Sequence, residues 1–209
     1  SKKFRIKHSQ LIIEGYRIIK EALKANIEFG GIWCSDEYAK KNKPFLDFVR
    51  DTQFSYEITT EKSLSQVCDS QNNQGIIGLI DLPHNKKLNI NLSNFLILDN
   101  ISNPGNMGTI IRTAVWFGIK DIIISSECVD LYNSKVVRSA MGAHFYLNQI
   151  IIKNLDSLIP KLQKNGFSII GAELNGTSIN KFKAPKKWAL VLGSEAHGIS
   201  PSIKSLLDE

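Results

Sequence analysis

Cysteine is scarce: Cys34, Cys68 and Cys128 are odd in number and far apart along 209 residues. That arithmetic offers no disulfide framework, and without a Cys-x-x-Cys pair or a Cys/His cluster no zinc spacing exists. No metal is therefore expected, and the cytoplasm, a reducing compartment, is the expected location. No apolar run approaches the ~20 residues a membrane helix needs. The start, Ser1-Lys2-Lys3-Phe4, leads into a polar amphipathic stretch and not into a signal-peptide core. A membrane partner is not expected. Internal repeats and low-complexity tracts are lacking too. Two phosphate-binding fingerprints are missing as well, Gly-x-Gly-x-x-Gly and the Gly-Lys-Ser/Thr of a P-loop.

What is present reads as an ordinary folded protein, with 43% hydrophobic and 22% charged residues. The length suits one medium domain or two small ones. Lys+Arg 26 against Asp+Glu 20 gives a formal net charge of +6. Such an excess suits a polyanionic partner, because phosphate neutralisation needs Lys and Arg. It is also common among soluble proteins, and charge alone does not choose.

Periodicity predicts a helix from Gln10 to Asn26, with Ile12, Tyr16, Ile19 and Leu23 on one face. A short strand at Ile32-Trp33-Cys34, a helix from Glu37 to Arg50 and a strand from Phe54 to Thr59 follow. Thr60 opens a third helix, and Gly75 to Ile80 is another strand. Residues 1–83 thus read as a small α/β domain. Pro83 to Asn91 is polar and charged, and 84–93 reads as a linker. From residue 94 to 209 a second β/α series runs. Strands are expected at Phe95–Asp99, Asp121–Ser125, Phe145–Ile152, Phe167–Leu174 and Trp188–Gly193. Helices are expected at Asn106–Phe117, Asn133–Met141 and Leu155–Asn165. Near-continuous Ile/Val/Leu strands imply a parallel sheet covered on both faces.

Two stretches could carry chemistry. In Leu98-Asp99-Asn100-Ile101-Ser102-Asn103-Pro104-Gly105-Asn106-Met107-Gly108 a buried strand ends in a polar loop that feeds a helix. Open α/β sheets bind ligands at such carboxyl ends. Ile110, Ala114 and Phe117, with Ile111 and Val115, form the expected buried stripe, and Arg112 lies off it, one turn from Gly108. A plain Asn-Pro-Gly turn followed by a surface arginine is the simpler reading. In Leu192-Gly193-Ser194-Glu195-Ala196-His197-Gly198-Ile199-Ser200 a second strand meets a small-residue loop, where Gly193 and Gly198 would let a ligand approach the backbone. Glu195 suits a cation such as Arg112 or a ligand. It also suits the start of a helix capped by Ser200-Pro201. His197 could serve as a base, although a lone loop histidine is more often simply solvated.

Asn103-Pro104-Gly105-Asn106-Met107-Gly108-Thr109-Ile110-Ile111-Arg112-Thr113-Ala114 resembles the first signature of the SpoU (TrmH-like) branch of the SPOUT RNA methyltransferases. Leu192 to Ser200 resembles the second, and Arg138 to Ala143 an intervening Arg-x-Ser-x-Gly-Ala element. The likeness covers the chain from about Asn94 onward. Glu14-Gly15 and Gln74-Gly75-Ile76 more loosely resemble a substrate-binding domain that many members carry. The resemblance implies an S-adenosylmethionine-dependent RNA (ribose-2′-O)-methyltransferase acting on rRNA or tRNA, without a metal. It also implies a homodimer and a deep trefoil knot in a parallel-sheet domain. Asn106, Arg112 and Glu195 match the family's catalytic positions. Ala172, Glu173, Leu174, Leu192, Gly193 and Ile199 match its cofactor loops.

A third signature of the form Ser-Leu-Asn-Val-Ser-Val-Ala is not found before Glu209. The knot segment is then expected to be incomplete, the natural protein to extend further, and this chain to hold the cofactor weakly. A fragment of an active enzyme and a natural degenerate both fit. For the partner, Lys2, Lys3, Arg5 and Lys7 form a basic arm that contacts RNA or is merely solvated, and Arg112 and Arg138 are further RNA contacts. Guanidinium groups keep their protons in proteins, so Arg112 is expected to stabilise a developing alkoxide and hold a phosphate, with Asn106 and Glu195 orienting it. Two rivals stay open: an RNA-binding protein without catalysis, and a small-molecule enzyme that binds a nucleotide at Asn100 to Gly108.

Overall fold

Leu11 and Ile13 are buried while Ile12 is exposed, an alternation of period two that the chain shares with a helical spacing of its apolar residues. The strand wins. In the computed structural model, which describes residues 2–68, 73–82, 94–152 and 154–209 (149, 151 and 152 without side chains), the expected helix over 10–26 is two elements. After α1 (Lys2–His8) come β1 (Gln10–Glu14) and α2 (Tyr16–Lys24). Gly15, at φ 95°, makes the break, and its N–H donates to the Ile76 carbonyl at 3.0 Å. Few residues other than glycine adopt that φ.

β2 (Phe29–Ser35) is followed by two helices, α3 (Asp36–Lys41) and α4 (Lys43–Arg50), where one was expected. Pro44 explains the split, because it lacks the N–H that a continuous helix would need and restricts the residue before it. The next strand, β3 (Glu57–Thr59), is shorter than expected. Thr60 does open α5 (Glu61–Val67), its side chain accepting from the Ser63 N–H at 3.1 Å. β4 (Ile76–Asp81) completes a sheet of order β1-β4-β2-β3, in which only β2 and β3 run parallel. Its core gathers Ile13, Ile19, Leu23, Leu46, Val49 and Ile80. The linker expected at 84–93 lies outside the described residues.

The second series opens with β5 (Asn94–Leu98), α6 (Pro104–Trp116) and β6 (Asp121–Ser125). α7 (Ser134–Ala140) and a 3-10 turn (Ala143–Tyr146) follow. Then come β7 (Asn148–Ile152), α8 (Leu155–Lys164), β8 (Ser168–Gly171), β9 (Trp188–Leu192) and α9 (Pro201–Lys204). β7 and β8 are thus shorter than expected. The five strands are all parallel, in the order β7-β6-β5-β9-β8. Phe95, Ile97, Ile123, Ile159, Ile169 and Val191 lie in one buried cluster. Burial of such side chains contributes about 1.5–3 kcal/mol each.

The chain divides into two compact units. One is 1–83 together with 132–145, and the other is 84–131 together with 146–209. One continuous domain from 94 to 209 is the expectation from sequence. Residues 132–145 depart from it because Val137, Tyr132 and Phe145 pack in the core formed by β1, α2 and β4.

The buried stripe of α6 also differs from expectation. Met107, Gly108, Ile111 and Ala114 are buried, Ile110 and Val115 are half-buried, and Phe117 is 76% exposed. The stripe runs i, i+4, i+7 from Met107, one turn earlier than the sequence was read. Trp116 beside it is 85% exposed.

Candidate active site

In the second unit the carboxyl ends of all five parallel strands lie on one edge of the sheet. The chain adds β6 and β7 on one side of β5, then crosses to place β8 and β9 on the other. Strand order therefore reverses at the β5/β9 boundary, where open sheets hold their ligands. Both candidate loops leave from these two strands.

The β5 loop is built by local polar chemistry. Asn100 adopts the left-handed conformation at φ 58°, which asparagine tolerates better than most residues, and its N–H donates to Ser125 Oγ at 3.2 Å. The Ile101 N–H donates to Cys128 Sγ at 3.3 Å, and burial pushes the Cys128 thiol above its usual range. Asn103 caps α6, accepting from the N–H groups of Gly105 at 2.8 Å and Asn106 at 3.1 Å, with Pro104 in the first turn. This fixes Asn106 at the mouth of the helix.

The β9 loop folds back on itself. The Gly198 N–H donates to the Ser194 carbonyl at 2.8 Å, and Ser194 and Gly198 form an antiparallel bridge. A Cβ on Gly193 would collide with the backbone of Gly198 and Ile199. The expectation that Gly193 makes room for a ligand is corrected accordingly: the room is taken by its own loop.

The two loops are tied together. Asn106 Nδ2 donates to Glu195 Oε1, joining two exposed side chains 89 positions apart. Glu195 thus meets the first loop and lies outside α9, which begins at Pro201. Beneath them the Asp99 N–H donates to the Leu192 carbonyl at 2.9 Å. The Ser200 N–H donates to Asp99 Oδ2 at 2.7 Å. Asp99 is buried and is not among the residues expected at the site. Its signal was an aspartate ending an otherwise apolar strand, directly before the loop.

Arg112 is exposed on α6. It stands six residues past Asn106, about 9 Å along the helix axis, and its Cα–Cβ bond tilts towards the helix N-terminus and so towards the loop mouth. His197 is exposed in the β9 loop.

The expected cofactor residues line the carboxyl ends of β8 and β9. The Ala172 N–H donates to the Val191 carbonyl at 3.0 Å, and Glu173 pairs with Lys204. Ile199 is buried, Leu192 and Gly193 are half-buried, and Leu174 stands out at 104% exposure. Of the expected RNA contacts, Lys2 and Lys3 are exposed on α1, while Arg5 is half-buried. Arg5 and Arg138 line one small cavity of the first unit with Glu14 and Tyr132.

Residues 93–209 match the family described as SpoU rRNA Methylase, and residues 12–85 match RNA 2′-O ribose methyltransferase substrate binding. The chain is 28% identical over 209 residues to the 23S rRNA (guanosine(2553)-2′-O)-methyltransferase RlmP of Bacillus subtilis, covering all of this chain and 81% of that protein. It is 33% identical over 182 residues to the mitochondrial rRNA methyltransferase 3 of Xenopus laevis, covering 83% of this chain and 42% of the relative. A TrmH-family structure from Porphyromonas gingivalis superposes with TM-score 0.84 at 26% identity, covering 100% of this chain and 82% of that one. The SpoU methyltransferase AviRb of Streptomyces viridochromogenes, at 18% identity, covering 100% of this chain and 82% of that one, shares the fold with TM-score 0.82. With both signature loops meeting at the β5/β9 boundary and more than half its length matched, this chain belongs to the SpoU rRNA methylase family.

Proposed function

We propose that this chain transfers a methyl group from S-adenosylmethionine to a ribose 2′-hydroxyl of RNA, with Asn106, Arg112 and Glu195 as its catalytic group. The observation that carries the reading is the Asn106–Glu195 contact, which joins the two signature loops at the strand-order reversal. The name of the Bacillus relative supports ribosomal RNA as the substrate class.

The cofactor residues fit the group in kind. Leu192, half-buried at the end of β9, and Leu174, exposed beyond β8, are the apolar side chains an adenosine would meet, while Ile199 is buried in the core and would offer its backbone. Glu173 pairs with the exposed Lys204 in the same stretch. When bound, S-adenosylmethionine supplies the methyl on its sulfonium. Arg112 holds a phosphate of the RNA and stabilises the negative charge that develops on the 2′-oxygen, for which its planar fork is suited. Asn106, held by Glu195, fixes the loop mouth against which the ribose is oriented, and such positioning supplies much of the barrier reduction.

The same reading includes a trefoil-knotted second unit, a homodimer formed through it, and a cytoplasmic location. The two exposed aromatic rings at the end of α6 support the homodimer, since closed two-fold pairing is the commonest way to bury such a face. The three free cysteines support a reducing compartment.

The test is transfer of label from methyl-labelled S-adenosylmethionine to bulk RNA. Arg112→Ala should lower it by ~100-fold or more, with the melting temperature unchanged. Arg112→Lys should do nearly as badly, because it keeps the charge and loses the fork. Near wild-type turnover by Arg112→Lys would overturn the role. RNA binding without any transfer would favour the non-catalytic reading.

A further inference from the structure

The first unit carries a cleft that the methyl-transfer chemistry does not use. It opens between the first turn of α2 and the start of α4, with a volume of about 560 Å³, and is lined by Tyr16, Lys20, Lys41, Asn42, Phe45 and Phe48, with Pro44 at its side. The sequence places these groups together by helical spacing. Tyr16 and Lys20 are i, i+4 on α2, and Phe45 and Phe48 are i, i+3 on α4.

The three rings form a file. Phe45 is buried at its centre, with Tyr16 edge-on at 4.6 Å between centroids and Phe48 at 6.1 Å, its plane inclined by 27°. Tyr16 and Phe48 are each 37% exposed. Lys20 Nζ lies over the Tyr16 ring at 5.2 Å from its centroid, so the cation and the ring are already arranged as neighbours. Two ammonium groups, Lys20 and Lys41, line the cleft, and among the described residues that line it there is no carboxylate. Lys20 Nζ lies 2.8 Å from the Tyr16 hydroxyl. Lys41 pairs with Glu37, an exposed ion pair of the kind that holds its partners weakly and can be exchanged.

We infer that this cleft takes an unstacked nucleobase of the RNA, stacked against Phe48 and Tyr16, with Lys20 and Lys41 on its phosphate. The inference rests on the reading of the chain as an RNA enzyme and adds a second contact point in a different unit. Charge complementarity selects the occupant: aromatic rings with cations interleaved are the platform that single-stranded nucleic acid uses.

The experiment uses the full chain and a short single-stranded RNA carrying 2-aminopurine, whose fluorescence is quenched on stacking. Wild type should quench it, and Tyr16→Ala with Phe48→Ala should abolish the quench and raise the dissociation constant by roughly 5- to 100-fold. Affinity for S-adenosylmethionine should be unchanged by the same pair. Tyr16→Phe with Phe48→Trp keeps both rings and should bind as wild type does, which separates stacking from a folding defect. If wild type ignores RNA altogether, the RNA reading falls and the cleft falls with it. If wild type binds and the double variant binds equally well, only the cleft is refuted. A change in self-association without a change in RNA affinity would mean that a second copy covers the cleft, and would also overturn it.

Discussion

Asp99 is where a single side chain governs the relation between the two signature loops. Its carboxylate is buried and accepts the Ser200 N–H, and its own N–H is held by Leu192. Removing the acceptor leaves a backbone donor without its partner, which costs about 1–3 kcal/mol. Asp99→Ala should therefore lower the unfolding free energy by that amount, seen as a lower urea midpoint, and slow methyl transfer with it. Asp99→Asn, which keeps one oxygen, should recover most of the stability. Equal midpoints for wild type and Asp99→Ala would show that Ser200 finds another partner. The sequence displayed this residue in plain view within the first motif. Its role was hidden because the partner is a backbone group 101 positions away, and backbone donors leave no mark in the side-chain pattern. Asn106 and Glu195 were legible because both belong to long signatures.

At the scale of elements, the β9–α9 loop separates two uses of glycine. Gly193 is small because the returning strand of its own loop needs the space, whereas Gly198 has open space around it and φ 69°. Gly193→Ala should then force the loop apart, at about 1–3 kcal/mol. Gly198→Ala should cost only its backbone strain, about 1 kcal/mol. Thermal melts of the two variants check the order, and a larger loss at Gly198 would reverse the assignment. Most elements of the second unit could be read from the sequence, because strands buried on both faces are apolar throughout and few other structures explain them. The first unit was harder. Over residues 10–26 the apolar positions fit both a strand-plus-helix and one helix, and the decision fell to Gly15, whose positive φ no periodicity reports. In α6 a glycine and a methionine face the core in place of the larger Phe117. Size ranked the candidates wrongly there, since the helix places the small residues on its buried face.

For the whole molecule, the proposed homodimer is the property most open to measurement. Trp116 and Phe117 should lie in its interface. Sedimentation equilibrium should find the wild type dimeric, and Trp116→Ser with Phe117→Ser shifted towards monomer without loss of secondary structure. A wild type that stays monomeric at every concentration would refute the proposal.

The membership of residues 132–145 in the first unit has a bearing on biosynthesis. Domains ordinarily fold in turn as they leave the ribosome. Here the amino-terminal unit is not finished when Pro83 emerges, because Tyr132, Val137 and Phe145 complete its core. Its last helix, α7, is translated only after β5, α6 and β6. The nascent chain is thus exposed to trapping longest at β1 and β4. Translation pauses, or a chaperone contact, would matter most between residues 83 and 145.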